Sequence, residues 1–179
     1  MTASALTGRN FSATASGLWE YDGALKYDLT LNPGKIDSLV LEIPLKDSLA
    51  PIAYTGTMWN IVLEHLSSRN GIIWKSTDAP LDKRMPAGFC NYLYLGGFHR
   101  GLCVFAENDR NWGWKHGTPN MDIVRRGNAV ILRIHLVNAP LSVSRKQTLS
   151  FGLMAAPVKP RPKDWAVRWI DNKRSEERR

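Results

Sequence analysis

Alternation of apolar and polar side chains is the feature of this sequence that most constrains its fold. In residues 25–31 (LKYDLTL), the apolar side chains fall on one face of an extended chain and the polar ones on the other. Residues 39–45 and 128–137 keep the same two-residue period. This period matches the side-chain geometry of half-buried β-strands and does not match a helix.

Turn residues separate these segments and favour antiparallel pairing. Two apolar runs, residues 91–95 and 102–107, flank the glycine-rich link 96–101, which is typical of a β-hairpin. Residues 148–154 are expected to pair with, or to neighbour, the strand at 128–137. Because helical periodicity is nearly absent, we predict an all-β fold: a two-sheet antiparallel β-sandwich of the jelly-roll or galactose-binding-like type.

The chain divides into three parts on composition. We expect a disordered or fraying N-terminus at residues 1–10, a β-sandwich domain at 11–157, and a Pro-rich linker with a basic tail at 158–179. Inside the domain, residues 47–88 are predicted to be mostly irregular. The segment 59–66 fits either one or two helical turns or a strand, and the pattern does not decide between them.

The positive charge of the chain is concentrated at its C-terminus. The sequence has 24 basic and 16 acidic residues, a net charge of +8, and residues 158–179 hold eight basic and four acidic side chains. Since half of the excess lies in a tail, the charge does not predict a nucleic-acid partner. No apolar run is long enough to cross a bilayer, so no membrane partner is expected. Residues 1–9 lack the apolar segment of a signal peptide.

Neither the cysteines nor the histidines indicate a cofactor or a metal. Cys90 and Cys103 lie on either side of the predicted hairpin, and buried free thiols are the expected state; a disulfide between them depends on the compartment. His135 should point away from the core face of its strand, and the other histidines lie in separate segments. We therefore predict no cofactor and no zinc site. A calcium site built from loop oxygens stays open.

Four segments of the chain form an ordered set: Tyr21-Asp22-Gly23, Trp74-Lys75-Ser76, the stretch from Tyr94 to Trp112, and the stretch from Phe151 to Pro160. In this order they resemble the N-terminal domain of the glycoside hydrolase family 123-like group. Together they span roughly residues 20–160. The chain departs from the family at Gly97-Phe98-His99-Arg100, where relatives usually carry an acidic turn, and it lacks the barrel that follows in the family.

The resemblance implies an accessory role rather than catalysis. In the family, this sandwich leads into a catalytic barrel, where an acidic pair assists attack by an N-acetyl group of the sugar. None of the barrel positions exists in this chain, so no catalytic residue is carried over. The implied partner is a catalytic barrel, in cis or from an adjacent gene, in a bacterial parent protein that is secreted or periplasmic.

Charged residues around the hairpin are the first candidate site residues. Glu107 and Asp109 follow its second strand, and their spacing puts both side chains on one side if the strand continues. Arg100 and Arg110 could pair with them as structural ion pairs. We assign the four to interdomain, structural or carbohydrate contacts rather than to a hydrolytic carboxylate pair.

Tryptophans supply the remaining candidates. Trp112 and Trp114 lie in a polar loop; an indole there either caps the end of the sandwich, packs on a missing barrel, or stacks on a glycan. Trp165 and Trp169, four residues apart, either form one helical face for an interface or fold back on the sandwich. The alternative function is therefore a stand-alone, lectin-like carbohydrate-binding module that uses the loop tryptophans.

Overall fold

The computed structural model describes residues 2–7, 11–20, 23–56, 61–78 and 89–157. In these ranges the chain forms fourteen strands and two short 3-10 helices, Asp47–Leu49 and Ser76–Asp78. The strands are β1 (Thr2–Thr7), β2 (Ser12–Trp19), β3 (Ala24–Leu31), β4 (Gly34–Ile36), β5 (Leu39–Lys46), β6 (Ile52–Gly56), β7 (Ile61–His65), β8 (Gly71–Lys75), β9 (Tyr92–Gly96), β10 (Gly101–Phe105), β11 (Met121–Arg126), β12 (Ala129–Val137), β13 (Leu141–Val143) and β14 (Gln147–Ala156).

The strands form two main sheets of unequal width. The larger has the order β1-β2-β3-β14-β10-β9-β6-β7 and the smaller β5-β12-β11-β8, while β4 and β13 form a separate pair. All strand pairings within the three sheets are antiparallel. The predicted all-β, antiparallel sandwich is confirmed. The unequal widths mean that four strands face a sheet of eight.

The core lies between the inner faces of the two sheets. On β12, the alternation puts Val130, Leu132, Ile134 and Leu136 on the inner face, and all four are buried. They belong to one cluster with inward residues of the larger sheet, such as Leu93. Burial of these faces supplies the main driving force for stacking the sheets.

The N-terminus differs from the expectation that residues 1–10 fray. Thr2–Thr7 forms β1 and pairs with β2 in continuous register from Thr2 opposite Gly17 to Thr7 opposite Ser12. The segment TASALT lacks a row of large apolar residues, so the periodicity of its sequence does not reveal it. A short connection to β2 lets it add to the edge of the sheet through main-chain hydrogen bonds.

Residues 47–88 are more regular than predicted. The described part of this stretch contains β6, β7 and β8. The undecided segment 59–66 contains the strand β7, which pairs with β6 at the edge of the larger sheet. Each strand has only five residues, which is too short to show a clear period.

The last strand lies in a different sheet from β12, contrary to the expected pairing. β14 pairs with β3 on one side and β10 on the other, both in the larger sheet. Between β12 and β14 the chain turns at Asn138–Pro140 and forms β13. This connection carries the chain across the sandwich. Residues 158–179, with the predicted linker and tail, lie outside the described residues.

The predicted hairpin is confirmed as β9 and β10, with Gly96 opposite Gly101. The ring of Tyr94 covers Gly101, and its hydroxyl donates to the main-chain carbonyl of Gly97. A Cβ at position 101 would lie 2.6 Å from the Tyr94 ring, so glycine is needed there. The main-chain N–H of Gly97 donates to the carbonyl of Arg100 at 2.9 Å, which closes the turn.

Candidate functional site

The structure places Arg100 far from the other charged candidates. Arg100 is exposed in the turn before β10, and Glu107 follows the opposite end of that strand. A five-residue strand spans roughly 13 Å, so the two side chains do not meet. Among the described residues, the ion pairs expected of Arg100 and Arg110 with the two carboxylates are not formed. For Arg100, the reason is that the hairpin holds it at the turn, at the far end of β10 from Glu107.

Glu107 and Asp109 do not continue a strand. β10 ends at Phe105, so the alternation that would put both carboxylates on one side does not apply. Glu107 is exposed beside a groove, whereas Asp109 is half-buried and its main-chain carbonyl accepts the N–H of Trp112 at 3.0 Å. It is thus the main chain of Asp109 that holds this loop, through its carbonyl.

The loop tryptophans pack into the core. Trp112 and Trp114 are each 8% exposed, and both meet the ring of Phe89 edge-on, at centroid distances of 5.3 and 5.5 Å. The indole N–H of Trp114 donates to the carbonyl of Thr118 at 2.8 Å, and His116 stacks on this indole at 4.8 Å. These contacts match the expected cap on the core. They leave little indole surface for a sugar. Trp165 and Trp169 lie outside the described residues.

The cysteines are free and buried, as expected. Cys103 lies opposite Tyr94 in the hairpin and not opposite Cys90. Burial raises the pKa of the Cys90 thiol to about 12, against the smaller lowering effect of its hydrogen bond to the main chain of Tyr92. Burial also raises the pKa of Cys103. Thiols held in the protonated form are poor nucleophiles and poor metal ligands.

A charged cluster lies on the outer face of the smaller sheet. Arg133 donates two hydrogen bonds to the buried carboxylate of Asp122, at 2.6 and 2.7 Å, and His135 Nε2 lies 2.9 Å from the same group. Burial alone would raise the pKa of Asp122, but these hydrogen bonds together hold it below its usual value. His135 thus points away from the core, as predicted. Within the described ranges, no three His, Cys, Asp or Glu residues form a metal site.

A polar groove of about 550 Å³ lies on the outer face of the larger sheet, on the side away from the core. One row of paired residues crosses this face from Lys26 through Gly152 to Phe105. We call this site the polar groove. The residues that line it include Glu20, Lys26, Phe105, Glu107, Asn108 and Arg110. Of the candidates predicted from sequence, Glu107 and Arg110 are thus brought together.

A second, apolar surface lies where the larger sheet extends past the smaller one. A row of paired residues on the inner face shows this: Val104 is fully buried, Leu153 and Leu25 are half-buried, and Trp19 is 70% exposed. An apolar groove of about 420 Å³ continues this surface beneath the edge strand β5. The inner apolar surface comprises Trp19, Leu25, Tyr27, Leu153, Leu39 and Leu41.

Comparisons with known proteins give no family for the chain. A scan against models of protein families finds no match, and a search of curated proteins finds none either. The resemblance to the glycoside hydrolase family 123-like group therefore remains a prediction. The described ranges hold no helix with the length and apolar character needed to cross a membrane.

Proposed function

We propose that this chain is a non-catalytic accessory β-sandwich of a glycoside-hydrolase-like protein, and that it packs on a catalytic barrel through the inner apolar surface. The observation that carries the proposal is Trp19, an indole on the core face of β2 that is 70% exposed. Exposed apolar surface continuous with an apolar groove is typical of a docking site. Tryptophan is also the residue type most enriched among those that dominate interface energies.

The position of β14 supports the barrel as the occupant. Leu153 and Ala155 are the last inward residues of β14, and they lie at the exposed end of the inner face. The strand ends at Ala156, three residues after Leu153 of the inner apolar surface. In the family that the sequence resembles, this exit leads into the barrel. Trp165 and Trp169 are then proposed interdomain contacts along the exit.

A binding measurement with the barrel tests this proposal. The reading frames that flank the chain are sequenced, the barrel domain they encode is expressed, and its affinity for this chain is measured by calorimetry. Replacing Trp19 with Ser is expected to weaken binding about 30-fold or more, because loss of an interface-dominating aromatic costs about 2 kcal/mol or more.

The matched control is Ile72→Ser on β8 of the smaller sheet, where Ile72 is 51% exposed. This variant removes a similarly exposed apolar side chain away from the inner apolar surface and should bind the barrel normally. Flanking reading frames without a barrel contradict the proposal. So does a Trp19→Ser variant, folded by circular dichroism, that binds as tightly as the Ile72→Ser variant.

A further inference from the structure

We propose that the polar groove binds a neutral oligosaccharide. The groove lies on the outer face of the eight-stranded sheet, whereas the inner apolar surface lies on its core face. The two sites can therefore be occupied together. This second site uses none of the loop tryptophans. Its residues come from β3, β10 and β14, from the loop after β10, and from Glu20, which follows β2.

An aromatic ring in the wall of the groove provides the apolar contact. Phe105 pairs directly with Gly152, and the end of its ring occupies the space above that glycine. A Cβ at position 152 would lie 2.1 Å from Phe105 Cζ, so any other residue would displace the ring. The glycine thus lets the ring lie along the sheet instead of standing out from it. An aromatic surface in a polar groove suits the C–H face of a sugar ring.

Polar and charged side chains lie around this ring in the lining of the groove. Among the described residues, the side chains of Glu20, Glu107 and Arg110 form no ion pair and no hydrogen bond. Asn108 Oδ1 accepts the main-chain N–H of Arg110 at 2.9 Å, which fixes the loop that carries Glu107 and Arg110. Carboxylate acceptors and a guanidinium donor can both hydrogen-bond to sugar hydroxyls.

The charge of the groove selects against an ionic ligand. Charged groups of both signs line the groove: the carboxylates of Glu20 and Glu107, and the cationic side chains of Lys26 and Arg110. Lys26 is also held 3.5 Å from Asp28 on the same strand. An anion or a cation would meet unfavourable charge on one side of such a site, whereas a neutral polar ligand would not.

The aromatic row continues beyond the groove, which favours a chain of sugars over a single unit. Tyr92 lies directly opposite Phe105 on β9, and the ring of Tyr54 meets Tyr92 edge-on at 6.2 Å. Both tyrosines are half-buried. Strand neighbours are about 4.8 Å apart, so these rings extend the surface by roughly two strand spacings from Phe105.

An immobilised panel of neutral and acidic oligosaccharides of defined sequence tests the proposal with the full chain. The best neutral oligosaccharide is then titrated by calorimetry against Glu107→Gln and Arg110→Ala. Glu107→Gln replaces a charged acceptor with a neutral amide, and Arg110→Ala removes a charged donor. Since hydrogen bonds to charged groups are the stronger ones, each variant should weaken binding about tenfold or more. Matched controls are Glu64→Gln on β7 and Arg69→Ala before β8, which lie away from the groove and should bind normally.

Three outcomes overturn the proposal: no saturable binding to any neutral oligosaccharide, binding only to acidic ones, or equal affinity in the Glu107→Gln variant and its Glu64→Gln control. Because Glu107 and Arg110 are exposed, both variants are expected to fold. Loss of sugar binding in either one should leave barrel binding unchanged. A failure of the polar groove is thus distinguishable from a failure of the inner apolar surface.

Discussion

Replacing Phe89 with Ala is expected to lower the free energy of unfolding by about 3–5 kcal/mol, the typical cost of removing a fully buried phenylalanine. Phe89 is 0% exposed and meets the indoles of Trp112 and Trp114 edge-on. Its loss leaves a cavity between two large rings, which cannot close without moving the loop that carries them. Chemical denaturation measures this loss. The slope of the free energy of unfolding against denaturant concentration should stay unchanged.

Phe98→Ala is the matched control for this prediction. Phe98 lies in the turn of the hairpin and is 85% exposed, so the same substitution should change the free energy of unfolding by no more than about 0.5 kcal/mol. Equal and small effects of Phe89→Ala and Phe98→Ala on the free energy of unfolding would contradict the packing of Trp112 and Trp114 on Phe89 in the core.

The second large effect is expected at Asp122. Asp122→Asn removes the charge that binds Arg133 and His135 on the outer face of the smaller sheet. The carboxylate side chain is 4% exposed and the Arg133 side chain 22%, so the guanidinium loses its main counter-charge in a poorly solvated position. We expect a loss of about 3 kcal/mol at about pH 7, the lower end of the cost of breaking a buried pair.

The same cluster makes stability depend on pH in a defined direction. Since the pKa of Asp122 is lower in the folded chain than its usual value, the cluster contributes fully above that usual value, about 4. As the pH falls below it, the unfolded chain takes up the proton first, and the contribution declines until the folded carboxylate is protonated.

Chemical denaturation of the Asp122→Asn variant at about pH 7 and about pH 3 measures this linkage. The unmodified chain should lose more stability over this range than the variant. Glu42, whose charge also acts on Arg133, is present in both proteins. Asp37→Asn, at an exposed position, is the control and should keep the full pH dependence. A variant and an unmodified chain with parallel pH profiles would contradict the role given to Asp122.

Sequence periodicity predicts those strands that have one apolar, well-buried face. β12 is the best case, because its inward residues follow a strict two-residue period and its outward residues include Arg133 and His135. β1 has small and hydroxylated residues and is held by main-chain pairing, which leaves no such period. For β14, the period predicts the strand but not its sheet, because that depends on where the chain crosses the sandwich.

The residues of each candidate site are brought together by the register of the strands, which the sequence pattern does not specify. The polar groove joins Glu20, Phe105 and Gly152, which are distant in sequence. They meet through the pairing of β14 with β10 on one side and with β3 on the other. The sequence does not single out Trp19, because its exposure results from the smaller sheet being too narrow to cover it. The spacing of Glu107 and Asp109 places both side chains on one side only if β10 continues, and the strand ends at Phe105.

Residue-resolved hydroxyl-radical footprinting of the isolated chain tests most directly whether the larger sheet extends past the smaller one and leaves Trp19 exposed. Four tryptophans of the described ranges report on it at once, since Trp19 is 70% exposed and Trp74, Trp112 and Trp114 are each less than a tenth exposed. A wide sheet that extends past a narrow one predicts rapid oxidation of Trp19 and slow oxidation of the other three. Protection of Trp19, or rapid oxidation of Trp112 and Trp114, would contradict it.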